Sequence, residues 1–251
     1  MPADGAQPLR DRRVLITGAS SGIGAATACT LAEAGAHVAL LARRAPQLER
    51  LAARLGAVPI VADVSEPEQI APAVDRAAEL LGGLDALVNN AGTFLLGMVG
   101  DGSLQSWRTM LDVNVLGLLA ATRAAIPHLR RSSRPSRAIV NVSSMGGRRV
   151  AQPAQGVYAG TKHAVHAVSD GLRAELHSDR IAVTVIAPGF VHTNRGAGIE
   201  DPVVRENMRR GQCEQGLRPE DVAAQIAHVL AVPPDVSLVE VALISMRQPP
   251  C

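Results

Sequence analysis

Tyr158 and Lys162 stand four positions apart in Gln155-Gly156-Val157-Tyr158-Ala159-Gly160-Thr161-Lys162, and Tyr158 is the only tyrosine among 251 residues. A helix over 156–177 would carry both on one face, phenol beside ammonium. A phenol so placed can give a proton to an oxygen on which negative charge develops. At about 5 Å and an effective dielectric near 20, the lysine charge would favour the phenolate by roughly 3 kcal/mol, easing transfer in both directions. The alternative is an exposed helix pair with the lysine stem lying along the surface. Val142-Ser143-Ser144 puts two hydroxyls at the end of an apolar run, where strand alternation sends them to opposite sides.

A second cluster suits a phosphate. Thr17-Gly18-Ala19-Ser20-Ser21-Gly22-Ile23-Gly24 follows a short apolar run and opens an amphipathic one. Glycines there let the turn tighten and let backbone amides and the positive helix end approach a pyrophosphate. The bland reading is a tight strand-to-helix loop.

Both clusters need a frame. Short apolar runs at Val14 to Thr17, His37 to Ala42, Val58 to Ala62, Ala86 to Asn89, Ala138 to Ser143, Ala182 to Ala187 and Leu238 to Ile244 alternate with helical stretches. The helical stretches are Ile23 to Ala34, Gln47 to Leu55, Gln69 to Leu81, Ser106 to Leu129, Gly156 to His177 and Pro219 to Val232. Such alternation predicts an α/β fold: a three-layer, doubly wound parallel sheet of about seven strands with helices on both faces. Ligands then bind beyond the carboxyl ends of the strands, where these motifs fall.

With TGxxxGxG at the first turn, the chain resembles the short-chain dehydrogenase/reductase family over nearly its whole length. Asn89-Asn90-Ala91-Gly92 is similar to that family's NNAG element, Asn114 to its helix-four asparagine, Tyr158 to Lys162 to its YxxxK and Pro188-Gly189 to its PG turn. The resemblance implies one Rossmann-type domain over 1–251, with a substrate lid at about 194–216. It implies NAD(P)-dependent hydride transfer between nicotinamide and a small carbonyl or alcohol, with Tyr158 as general acid. It also implies that Lys162 holds the nicotinamide ribose, Ser144 the substrate oxygen and Asn114 a relay water; Asn114 could instead tie down a helix bend. Cofactor contacts fall to Gly18, Ser20, Ser21, Gly22, Ile23, Gly24, Val64, Asn90, Ala91, Gly92, Pro188, Gly189, Val191 and Thr193. Asp63 resembles the adenine-binding aspartate, or caps the next helix, as Ser65 also could. Thr93-Phe94-Leu95-Leu96-Gly97 and Pro127-His128-Leu129 are similar to a bacterial branch containing clavulanic acid dehydrogenase and hydroxy-acid dehydrogenases. Ile244-Ser245-Met246 departs from that branch, which tends to Arg-Pro-Thr there.

The second strand ends Leu41-Ala42-Arg43-Arg44, without the acid that would accept from a ribose 2′-hydroxyl. Arg43 and Arg44 suit a 2′-phosphate, so NADP is favoured over NAD. Phe94 and Phe190, the only phenylalanines, suggest partly apolar substrate walls. Arg195, Arg205, Arg209 and Arg210 of the lid segment, with Arg148 and Arg149, could receive a substrate anion or simply be solvated.

Composition narrows the partners. A net charge of +2 without a long basic tract leaves no footprint for nucleic acid. Cys29, Cys213 and Cys251 lack metal or disulfide spacing. The first residues lack the apolar stretch of a secretory signal, and no continuous apolar run reaches the ~20 residues of a membrane span, so a cytoplasmic protein is expected. Family members are usually homodimers or homotetramers built through the helices at 106–129 and 156–177. The favoured function is an NADP-dependent carbonyl reductase. The rivals are NAD-dependent alcohol oxidation and a non-catalytic cofactor sensor on the same fold.

Overall fold

The computed structural model describes residues 7–193, 206, 210–211 and 213–248. Seven parallel strands lie in the order β3-β2-β1-β4-β5-β6-β7: β1 Arg13–Thr17, β2 His37–Ala42, β3 Val58–Val61, β4 Ala86–Asn89, β5 Arg137–Val142, β6 Ile181–Pro188 and β7 Glu240–Leu243. The central strands are buried on both faces and therefore read as continuous apolar runs such as Val14-Leu15-Ile16. Within that run the side chains alternate between two cores. Val14 and Ile16 meet α1 Gly22–Glu33, α2 Ala45–Leu55 and α7 Pro219–Ala231, while Leu15 meets α3 Pro67–Leu81, α5 Gly117–Arg131 and α6 Gly156–Glu175. Pro59 is tolerated because β3 is an edge strand.

The expected helix at 106–129 is broken in two. An α-helix α4, Leu104–Leu111, passes into a π-helical turn at Asp112–Leu116 before α5 begins. The wider turn gives the bend that puts Asn114 inside the protein, 1% exposed. Taken together, Leu104–Arg131 spans 28 residues and contains an 18-residue window of mean hydropathy 1.3, enough by length and composition to cross a membrane although it holds no unbroken apolar run of that length. Here one face of it packs into the core through Leu118, Ala121, Ala125 and Leu129. Strand order reverses between β1 and β4, so a crevice opens beyond their carboxyl ends.

Candidate active site

The glycine turn is locked to the neighbouring strand by a residue outside the expected contacts, Thr17. Its Oγ1 accepts from the backbone N–H groups of Asn90 and Ala91, each at 3.1 Å. Asn90 replies through Nδ2, which donates to the carbonyls of Thr17 at 2.9 Å and Gly18 at 3.2 Å. These contacts explain two glycines. A Cβ on Gly18, whose φ is +65°, would lie 2.7 Å from the Cα of Ala91, and one on Gly24 would lie 2.5 Å from Asn90 Nδ2. Asn90 and Gly24 thus shape the turn. Ser21 precedes α1 with no side-chain cap bond, leaving the amides and positive end of that helix available to an anion.

Arginine closes this end of the crevice. Arg44 Nη2 donates to Ser20 Oγ at 2.9 Å and Ser21 Oγ at 2.6 Å, and Arg43 Nη1 donates to Asp63 Oδ2 at 3.2 Å. Burial pushes the Asp63 carboxyl up. Hydrogen bonds from the Ser65 N–H and hydroxyl, with the Arg43 charge, outweigh it and hold the group below the usual carboxylate range. Asp63 Oδ1 accepts both Ser65 bonds, at 3.0 and 2.7 Å. Neither residue is the cap of α3: the N-cap is Glu66, because Asp63 forms an Asx turn one step earlier.

Tyr158 lies in the first turn of α6, 4% exposed, with its ring edge-to-face on Phe94 at 4.6 Å between centroids and 76° between planes. Ser144 faces it across Gly146, where an added Cβ would sit 3.4 Å from Tyr158 Cε1 and 3.5 Å from Ser144 Oγ. The two serines at the end of β5 separate as alternation requires. Ser144 lines the crevice, whereas Ser143 is fully buried and donates to the Lys162 carbonyl at 3.3 Å. Lys162 is also buried, and its Nζ donates to the Val142 carbonyl at 3.0 Å.

Asn114 is committed at both ends of its carboxamide. Oδ1 accepts from Thr93 N–H at 2.8 Å; Nδ2 donates to the Thr93 carbonyl at 3.0 Å and to Thr161 Oγ1 at 3.1 Å. Thr161 Oγ1 donates in turn to the Tyr158 carbonyl at 2.7 Å. Asn114 therefore ties the π turn, the loop bearing Phe94 and the turn bearing Tyr158 into one unit. Its position in the bend was foreseeable, but Thr161 carried no signal beyond standing next to Lys162.

The crevice is a continuous cleft of about 560 Å³. It gathers Gly18, Ser20, Ser21, Gly22, Ile23, Arg43, Arg44, Asp63 and Val64 at one side. Of the other expected residues, Asn90, Ala91, Gly92, Phe94, Ser144, Tyr158, Gly189, Phe190, Val191 and Thr193 also line it. Gly24, Asn114, Lys162 and Pro188 do not line it; they stand behind the lining. Arg149 is on the wall, but Arg148 pairs with Glu240 at 3.5 Å away from it. Gln248 was missed. Its Oε1 accepts from Phe190 N–H at 2.8 Å, a contact across 58 residues that no local pattern announces. Arg195, Arg205 and Arg209 lie outside the described residues, as does most of 194–216; Arg210 is exposed.

A glycine turn at the switch point, arginines beside it and a serine–tyrosine pair at the other wall form one site. Residues 12–203 match the profile of the short chain dehydrogenase family. The chain belongs to the short-chain dehydrogenase/reductase family. It is 36% identical over 239 residues to dehydrogenase/reductase SDR family member 11 of Bos taurus, covering 91% of this chain and 94% of that one. It is also similar to a short-chain dehydrogenase from Burkholderia cenocepacia in complex with NADP, at 32% identity and TM-score 0.82, covering 94% of this chain and 98% of the other. An alcohol dehydrogenase from Thermococcus sibiricus complexed with 5-hydroxy-NADP matches at 29% identity and TM-score 0.83, with 95% and 99% covered. This short-chain dehydrogenase/reductase is an NAD(P)-dependent oxidoreductase acting on a small molecule, and the sensor reading is set aside.

Proposed function

We propose that the protein is an NADP-dependent carbonyl reductase, running as an alcohol dehydrogenase in reverse, with Tyr158 as general acid. The observation that carries this reading is the facing of Tyr158 and Ser144 across Gly146 in a cleft that also holds Arg43 and Arg44. The uncapped start of α1 and the glycine turn fit a dinucleotide pyrophosphate, and Arg43 and Arg44 fit an adenosine 2′-phosphate. When bound, the cofactor supplies the hydride. Ser144 and Tyr158 hydrogen-bond the substrate oxygen, and Tyr158 gives it the proton as charge develops there. Lys162, fixed by the Val142 carbonyl behind the cleft lining, holds its positive charge on the Tyr158 helix and is the residue that would hold the nicotinamide ribose. Asn114 acts as a positioning residue through Thr93 and Thr161. The full chain works as one domain with 194–216 as its substrate lid, in a homo-oligomer built on α4, α5 and α6.

The test is NADPH consumption with a panel of aldehydes and ketones. Tyr158→Phe should lower kcat by at least about 100-fold, the low end for loss of a general acid, while NADPH still binds. A Phe variant that turns over at the parent rate, or a parent that consumes NAD⁺ and an alcohol but never NADPH and a carbonyl, overturns the proposal.

A further inference from the structure

We infer that the cleft selects a substrate carrying a carboxylate near its reducible carbonyl, gripped by Arg149 with the carboxamides of Gln152 and Gln155. This rests on the carbonyl-reductase reading. Arg149, Gln152, Gln155 and Tyr158 recur at every third position, and all four line the cleft. Gln152 and Gln155 bracket the 3-10 turn Pro153–Gln155, whose geometry stacks residues three apart, and α6 then delivers Tyr158. The segment is clamped to the opposite loop by a bond from Gly97 N–H to the Ala154 carbonyl at 3.0 Å, which holds it beside Phe94, Leu95 and Leu96.

Charge points to the ligand. Among the described residues, the charged groups lining the cleft are Arg43, Arg44, Asp63 and Arg149. The first three belong to the glycine-turn side, where Asp63 is paired with Arg43 and Arg44 is bonded to Ser20 and Ser21. Arg149 has no acid partner among the described residues, unlike Arg148 beside it, which is paired with Glu240. The Gln152 and Gln155 side chains likewise make no hydrogen bond among the described residues. A guanidinium fork with unused donors binds a carboxylate in two-pronged fashion, and two carboxamides can orient the carbon skeleton next to it. Phe94, Met145 and Phe190 supply the apolar remainder of the wall. A cationic substrate would be repelled, and a plain ketone would leave the guanidinium of Arg149, which is exposed, to solvent alone.

Two measurements test this on the full chain. In the first, the NADP⁺ complex is titrated with butyrate and benzoate and with their amides; the acids should bind at least ten-fold more tightly, and Arg149→Ala should remove the difference. In the second, kcat/KM is compared for levulinate and methyl levulinate. Arg149→Ala should reduce the acid-to-ester ratio at least ten-fold, mainly through KM, with Arg149→Lys recovering part of it and Arg148→Ala keeping the parent ratio. Acids and amides binding alike, or a ratio that Arg149→Ala does not move, overturns the inference. Absence of NADPH turnover with every carbonyl would instead defeat the carbonyl-reductase reading, and the binding comparison would still decide the role of Arg149.

Discussion

Arg43 and Arg44 carry the cofactor preference at the scale of single side chains. Arg43 is shared with Asp63, so it comes to a 2′-phosphate with part of its charge already answered, while Arg44 bridges to Ser20 and Ser21 and pairs with no acid among the described residues. Arg44→Ala should therefore weaken NADPH binding by about 1–3 kcal/mol, the range for a charge-assisted hydrogen bond, and Arg43→Ala by a comparable amount because it also leaves Asp63 unpaired. NADH should change much less, as read from separate titrations of the two cofactors. Equal losses for both would mean that the arginines serve only the turn. The arginines themselves were legible because their charge and the missing acid are properties of four consecutive residues. The bonds from Arg44 to the serines were not, since they join residues 23 and 24 positions apart.

At the scale of elements, α6 carries a titratable group one turn beyond Lys162. His166 is packed beneath Gly147, where an added Cβ would lie 2.7 Å from its Nε2, and that nitrogen is buried without a hydrogen-bond partner among the described residues. Burial, with the charges of His163 and Arg148, holds His166 below its ordinary value against the opposing pull of Glu240 and Asp170. A histidine with a depressed folded-state value contributes stability that is fully present above its unfolded value near 6.5 and is lost as pH falls from there through the folded value. Tm should accordingly drop between pH 7.5 and pH 5.5, and His166→Leu should flatten that part of the profile. An unchanged slope in the variant would assign the acid sensitivity elsewhere. The turn that packs on His166 holds Gly146 and is capped by Ser144, so activity should fall along with stability.

The whole molecule presents an apolar face that its own core does not cover. Leu104, Leu111, Leu116 and Leu119 on α4, the π turn and α5 are 65%, 47%, 50% and 37% exposed. A second copy covering this face fits the homo-oligomer proposed above, with small and branched side chains packing helix against helix. Leu111→Arg together with Leu116→Glu should shift the species seen by light scattering toward the monomer. A parent protein that is monomeric at micromolar concentration would remove the interface.

The sequence alone determined what depends on local pattern. Apolar runs separated by helical periodicity are enough to dictate a parallel sheet, because both of its faces must be buried, and Gly18, Tyr158 and Lys162 announce themselves by residue type and spacing. The strand ends expected at 37–42 and 86–89 are those observed, since turn chemistry bounds them on both sides. Tertiary structure decided the rest. The π turn at 112–116 interrupts a pattern that reads as one helix, because its cause is the fit of Asn114 against Thr93 and Thr161, 21 and 47 residues away. It chose Ser144 over Ser143 as the lining residue, moved Arg148 to Glu240 and brought Gln248 to Phe190. Each of those outcomes depends on which distant group fills the space beside a side chain, and periodicity along one segment holds no record of that.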